Sequence, residues 1–110
     1  MTTVHKNYNM DPAKNPFHKI LIERGFKYES TAEKPNRYAA TRRDADYIEH
    51  VYRHPTKPKD HVRVWLYKDG TKSFHQRFEQ ENGIIAPSYG DTKPQLVKAL
   101  NFDYGEGKMA

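Results

Sequence analysis

The chain has 110 residues and no cysteine, which fits one compact domain and excludes disulfides, thiol nucleophiles and thiolate metal sites. Only 35% of the residues are hydrophobic and mean hydropathy is -1.07, so the core is small and aromatic residues, 13% of the chain, must supply much of its area. The +5 net charge and pI near 9.4 favour polyanionic partners, and no apolar run approaches the ~20 residues of a membrane span.

Residues 1–14 are polar and lack periodicity, as expected of a flexible N-terminal arm without an apolar signal core, and a cytoplasmic location follows as the expectation. A single α+β domain is expected over residues 15–102. Asn15 caps and Pro16 opens a short helix over 16–24, with Phe17, Ile20 and Leu21 at helical spacing and Gly25 as its stop. Asp11-Pro12 is a rival start, but it would leave Pro16 inside the helix. Residues 26–30 alternate apolar and polar as a strand does, 31–36 form a polar loop, and 37–42 read as a second, weaker strand. Arg42, Arg43 and Asp44 fall in a charged turn. Residues 47–54 are strongly β-prone and end at Pro55.

After the loop carrying Lys57 and Lys59, residues 61–78 read as a β-hairpin around Lys68-Asp69-Gly70. A two-residue Asp69-Gly70 turn would pair Trp65 with Phe74. A three-residue loop with Gly70 in the left-handed bulge position pairs Val64 with Phe74 instead. The second register separates the faces more cleanly and is the expectation. It groups Val62, Val64, Leu66, Phe74 and Phe78 on one side, and His61, Arg63, Trp65, Tyr67, Ser73, His75 and Arg77 on the other. Residues 79–90 read as a long connection containing Gly83, Pro87 and Gly90, with Ile84 and Ile85 turned inward. Thr92 and Gln95 form a capping box for a helix that buries Leu96, Val97 and Leu100 and ends near Asn101. Residues 103–110 read as a flexible tail. The fold class is therefore α+β: an antiparallel sheet of three to five strands with an N-terminal and a C-terminal helix.

The outward face of the hairpin is the leading candidate site. Aromatic rings on a sheet stack on unpaired bases, while Arg and Lys neutralise phosphates. Arg63, Trp65, Tyr67, Lys72, His75 and Arg77 supply both kinds of group, and Lys57, Lys59, Arg42 and Arg43 extend the positive field. The competing reading buries Trp65 and Tyr67 beneath the chain ends or the 79–90 connection, where they complete a small core. Because Trp, Tyr and Arg also dominate protein interfaces, an accessory or inhibitor protein of phage or plasmid type would display the same patch to a protein partner.

The histidines offer a third reading. His50, His54, His61 and His75 all lie in the strand region, and two of them brought together would suffice for metal-independent RNA cleavage. His50 and His75 are the candidates for that role, although no spacing fixes the geometry. No metal ligand set and no cofactor motif are visible: Cys is absent and Arg63 and Arg77 beside His75 would repel a cation. Asp44, Asp46 and Glu49 would hold Mg²⁺ only if they converged, and turn capping is the commoner role of such aspartates.

The run Leu21-Ile22-Glu23-Arg24-Gly25-Phe26-Lys27-Tyr28, with His50-Val51-Tyr52-Arg53-His54-Pro55 further on, resembles HicA-type toxins, which are small RNA-cleaving proteins of double-stranded-RNA-binding-like fold. The resemblance covers about a third of the chain. It implies a helix, three strands and a helix (α-β-β-β-α), and a catalytic His. This sequence has Tyr47-Ile48-Glu49 where the family has Gly-Ser-His, so that His falls on Glu49 unless His50 replaces it by a one-residue slip. About twenty residues separate Tyr28 from His50, more than the family has. The expectation overall is a basic nucleic-acid-binding module, for RNA or single-stranded DNA, without catalysis. An exposed edge strand at 37–42 would allow a dimer.

Overall fold

Two proline-containing starts compete near the N-terminus, and the chain uses both. The Asp11 side chain accepts from the Ala13 amide at 3.0 Å and opens a 3₁₀ turn at Pro12–Lys14. The Asn15 side chain then accepts from the Phe17 amide at 2.8 Å, and helix α1 follows over His18–Glu23. It is shorter than the expected 16–24 because Pro16 and Phe17 belong to the turn leading into it. Its end is the expected one. Gly25 takes φ 89°, so the Gly25 amide donates to the Ile22 carbonyl and the Phe26 amide to Leu21, each at 3.0 Å. This is a Schellman stop, and it delivers Phe26 into the core beside Leu21.

The computed structural model describes residues 8–35, 46–68, 70–79 and 85–104. Its five strands form one antiparallel sheet in chain order: β1 (Lys27–Lys34), β2 (Tyr47–Arg53), β3 (His61–Tyr67), β4 (Lys72–Glu79) and β5 (Ile85–Gly90). Helix α2 spans Lys93–Tyr104. The protein is thus an α+β domain in helix–sheet–helix order, with five strands where the α-β-β-β-α layout has three. The strand expected at 37–42, and Arg42 and Arg43 with it, lie outside the described residues.

Two strands correct the sequence reading. β1 continues through Lys34, in place of the expected loop, because Thr31 to Lys34 pair with Tyr47 to His50 across a bulge between Tyr28 and Ser30. Residues 85–90, expected as part of a connection, are the fifth strand, β5. Pro87 lacks an N–H and would break a central strand, but among the described residues β5 pairs only with β4 and so stands at the end of the strand order. The hairpin register is the expected one: Val64 pairs with Phe74, Gly70 takes φ 92°, and Tyr67 and Thr71 close the loop through a 2.9 Å backbone bond.

Alternation along the strands gives the sheet two unlike faces. Tyr52, Val62, Val64, Leu66 and Phe74 share one core cluster with Phe17 and Leu21 before and in α1 and with Leu96 and Leu100 from α2. Both helices therefore cover the same face. The capping box of α2 is reciprocal: the Thr92 hydroxyl accepts from the Gln95 amide at 3.3 Å, and Gln95 Oε1 accepts from the Thr92 amide at 3.0 Å and from Asp91 at 2.8 Å. The helix runs past the expected end at Asn101 to Tyr104. No described helix is long and apolar enough to cross a membrane.

Candidate functional site

On the face without helices, the register lays the residues in rows across the strands. Tyr47 stands beside Tyr67. The next row holds Ala32, Glu49, Trp65 and Ser73, and the one after it Ser30, Val51, Arg63, His75 and Tyr89. A further row reads Lys27, Arg53, His61 and Arg77. One end of this face is therefore aromatic and the other basic.

The rings form a diagonal through these rows. Tyr47 lies 4.9 Å from Trp65, Trp65 lies 3.8 Å from His75, and His75 stands 6.3 Å from Tyr89 with the two planes 22° apart. Tyr67 adjoins Tyr47 at 5.2 Å. Exposure varies along the array. Tyr89 is 79% exposed, Trp65 and His75 are half-buried, and Tyr67 is buried at 6%. Of the two residues that the competing reading hides, Tyr67 is buried and Trp65 is only half-buried.

Glu49 orients the middle of the array. Its carboxylate is buried, accepts from Trp65 Nε1 at 2.9 Å, and lies 3.9 Å from both Arg63 Nη1 and Lys34 Nζ. The indole N–H is thereby engaged, and what Trp65 offers a ligand is its ring. In the basic row, Arg53 bonds Glu29 through two nitrogens, at 2.8 and 3.2 Å, and donates to the Pro58 carbonyl at 3.1 Å. That last bond fastens the loop of Lys57 and Lys59, both exposed, to the same end of the face. His61 accepts from Arg53 at 3.3 Å through Nδ1, and burial together with Arg63, Arg53 and Arg77 holds its pKa below the usual histidine value. Arg53 and its neighbours in turn hold the Glu29 carboxyl below its ordinary range. Arg77 is exposed and has no ion-pair partner among the described residues.

Of the residues expected to bind, Arg63, Trp65, Tyr67, His75 and Arg77 come together on this face. Lys72 does not, because it pairs with Leu66 and shares the helix-covered side. Lys34, Arg53 and Tyr89 join the face without having been expected there. Period-two alternation from Arg63 points to Arg53 only through the β2–β3 register, and Tyr89 falls in the segment that reads as a connection.

The two histidines considered for catalysis lie on opposite faces. His50 is fully buried, its Nε2 donates to the Asn9 carbonyl at 3.0 Å, and its Nδ1 meets the Thr31 hydroxyl at 2.8 Å. A carbonyl only accepts, so the ring carries its proton on Nε2; with burial lowering its pKa, Nδ1 accepts from Thr31. Thr31 in turn receives the Tyr28 hydroxyl proton. The chain Tyr28, Thr31, His50, Asn9 is thus a one-directional bond series tying the N-terminal segment to the sheet. His54 is likewise committed: its Nδ1 accepts from the Thr56 and Lys57 amides at 3.1 and 3.0 Å and shapes the β2–β3 loop. No three His, Asp or Glu side chains converge on a potential metal position among the described residues.

A hollow of about 380 Å³ opens where the diagonal meets the entrance to α2. Trp65, Tyr67, His75 and Tyr89 line it with rings, and Ser73, Asp91 and Gln95 add polar groups. Comparison with protein-family models, with curated proteins and with solved structures finds no match for this chain.

Proposed function

We propose that the protein binds single-stranded nucleic acid, RNA or DNA, on the helix-free face and does so without catalysis. One observation carries the reading: a diagonal of rings, Tyr47, Trp65, His75 and Tyr89, runs into a row that carries the cations Lys27, Arg53 and Arg77. Bases stack on rings regardless of sequence, and cations one row away, about 7 Å along the strand, meet the phosphates that connect those bases. A duplex would hide its base faces from such an array, which favours single strands. Glu49 and Glu29 fix the orientation of Trp65, Arg63 and Arg53 before a ligand arrives, which lowers the ordering cost of binding.

The test uses the single tryptophan. A single-stranded oligonucleotide should quench Trp65 fluorescence at low ionic strength, and added salt should restore it. Absence of both quenching and a mobility shift at low salt would sink the proposal. A cellular partner retained after nuclease treatment, with no oligonucleotide binding, would assign the face to a protein instead.

A further inference from the structure

We infer that the hollow at the entrance to α2 receives a guanine base of the bound strand, with Asp91 reading its edge; this rests on the single-strand reading above. Four rings, Trp65, Tyr67, His75 and Tyr89, line the hollow, which favours a flat occupant. Among the described residues that line it, Asp91 is the one with a carboxylate side chain, and no Lys or Arg is present. A phosphate is therefore disfavoured there, and a group rich in hydrogen-bond donors is favoured.

Gln95 sharpens the choice. Its Oε1 is occupied by the backbone amides of Asp91 and Thr92, because an N–H must meet the oxygen and not the NH₂ of the side-chain amide. Ser73 Oγ meets His75 Nε2 at 3.1 Å, so beside that pair and the tyrosine hydroxyls the hollow offers a carboxylate that accepts twice and an NH₂ that donates. Guanine presents the complementary edge: N1–H and N2–H side by side for one carboxylate, with O6 as acceptor next to them. Adenine, cytosine and uracil each place a single donor position beside acceptors, so a carboxylate meets one of them in one bond at best. Ring stacking on Trp65, His75 and Tyr89 would hold any base, and Asp91 would choose among them.

The 110-residue chain is titrated with short oligouridylate strands in which one central residue is U, A, C, G or inosine, and affinity is read by fluorescence anisotropy. The G strand should bind on the order of 10-fold tighter than the A, C or U strands. Inosine, which keeps N1–H and O6 but lacks the 2-amino group, should lose most of that advantage. Asp91→Asn should abolish the preference, bringing the G strand to the affinity of the U strand. Equal affinity for all five strands, or a G preference that survives Asp91→Asn, would overturn the inference and leave the single-strand reading standing. No binding to any strand at low salt would overturn both.

Discussion

At the buried carboxylate of Glu49 an indole N–H, a guanidinium and an ammonium converge, and each loses a partner when it is removed. Glu49→Ala leaves Trp65 Nε1 without its 2.9 Å acceptor and should cost about 1–3 kcal/mol in urea denaturation. Glu49→Gln keeps an acceptor and should cost less. A second residue-scale effect concerns protons. Burial lowers the pKa of His50, His54 and His61 below the ordinary histidine value of 6.5, so the unfolded chain binds protons that the folded one refuses. Stability is then fully present above pH 6.5 and falls as the pH drops through the lowered folded values. Thermal unfolding followed from pH 7.5 down to about pH 5 should show this decline, and His50→Gln should make it shallower. A profile that is flat or rises toward acid would contradict the buried, neutral assignment.

At the scale of elements, the β5–α2 corner is closely packed around Gly90. A Cβ at Gly90 would stand 2.7 Å from Gln95 Oε1 and 2.8 Å from the Phe74 ring. Phe74 is a core residue at 1% exposure and cannot retreat, so Gly90→Ala should destabilise by about 1–3 kcal/mol and loosen the cap of α2, visible as lost helical circular dichroism. The local chemistry of such corners largely reads from sequence. Gly25, Gly70 and the Thr92–Gln95 box act at the positions their residue types announce, because each relies on partners within a few residues. Pairing over distance does not read out in the same way. β5 carries Pro87 and resembles a connection in sequence, since a proline's tolerance depends on whether the strand has one neighbour or two. Lys72 belongs with the ligand-facing residues only by proximity in sequence, and alternation puts it on the opposite face from Arg63 and Trp65. The burial of Tyr67 beside a half-buried Trp65 is a tertiary fact that no period reveals.

For the molecule as a whole, the division into a helix-covered face and a basic-aromatic face makes binding and stability separable. Arg63 and Arg77 are exposed and belong to the second face. Replacing Arg77, which has no ion-pair partner among the described residues, by Ala should leave the unfolding midpoint nearly unchanged and flatten the dependence of log K on log salt by about 0.7 for each phosphate no longer neutralised. An unchanged slope would place the phosphates elsewhere. Charges also line the outer strand: among the described residues β1 pairs with β2 alone and carries Lys27, Glu29, Glu33 and Lys34, a composition that discourages further strands from adding there.

The strand order has a kinetic consequence. Every strand's neighbour is the next strand along the chain, so the sheet can form hairpin by hairpin and closes no connection longer than residues 35–46. The helices are different. Arg24 at the end of α1 bonds Asn101 in α2 across 77 residues, and the core beneath them joins two distant parts of the chain. Folding thus separates into quick local zippering and one distant closure. The face that carries the rings and cations belongs to the part that zippers, whereas the two helices meet on the side that closes.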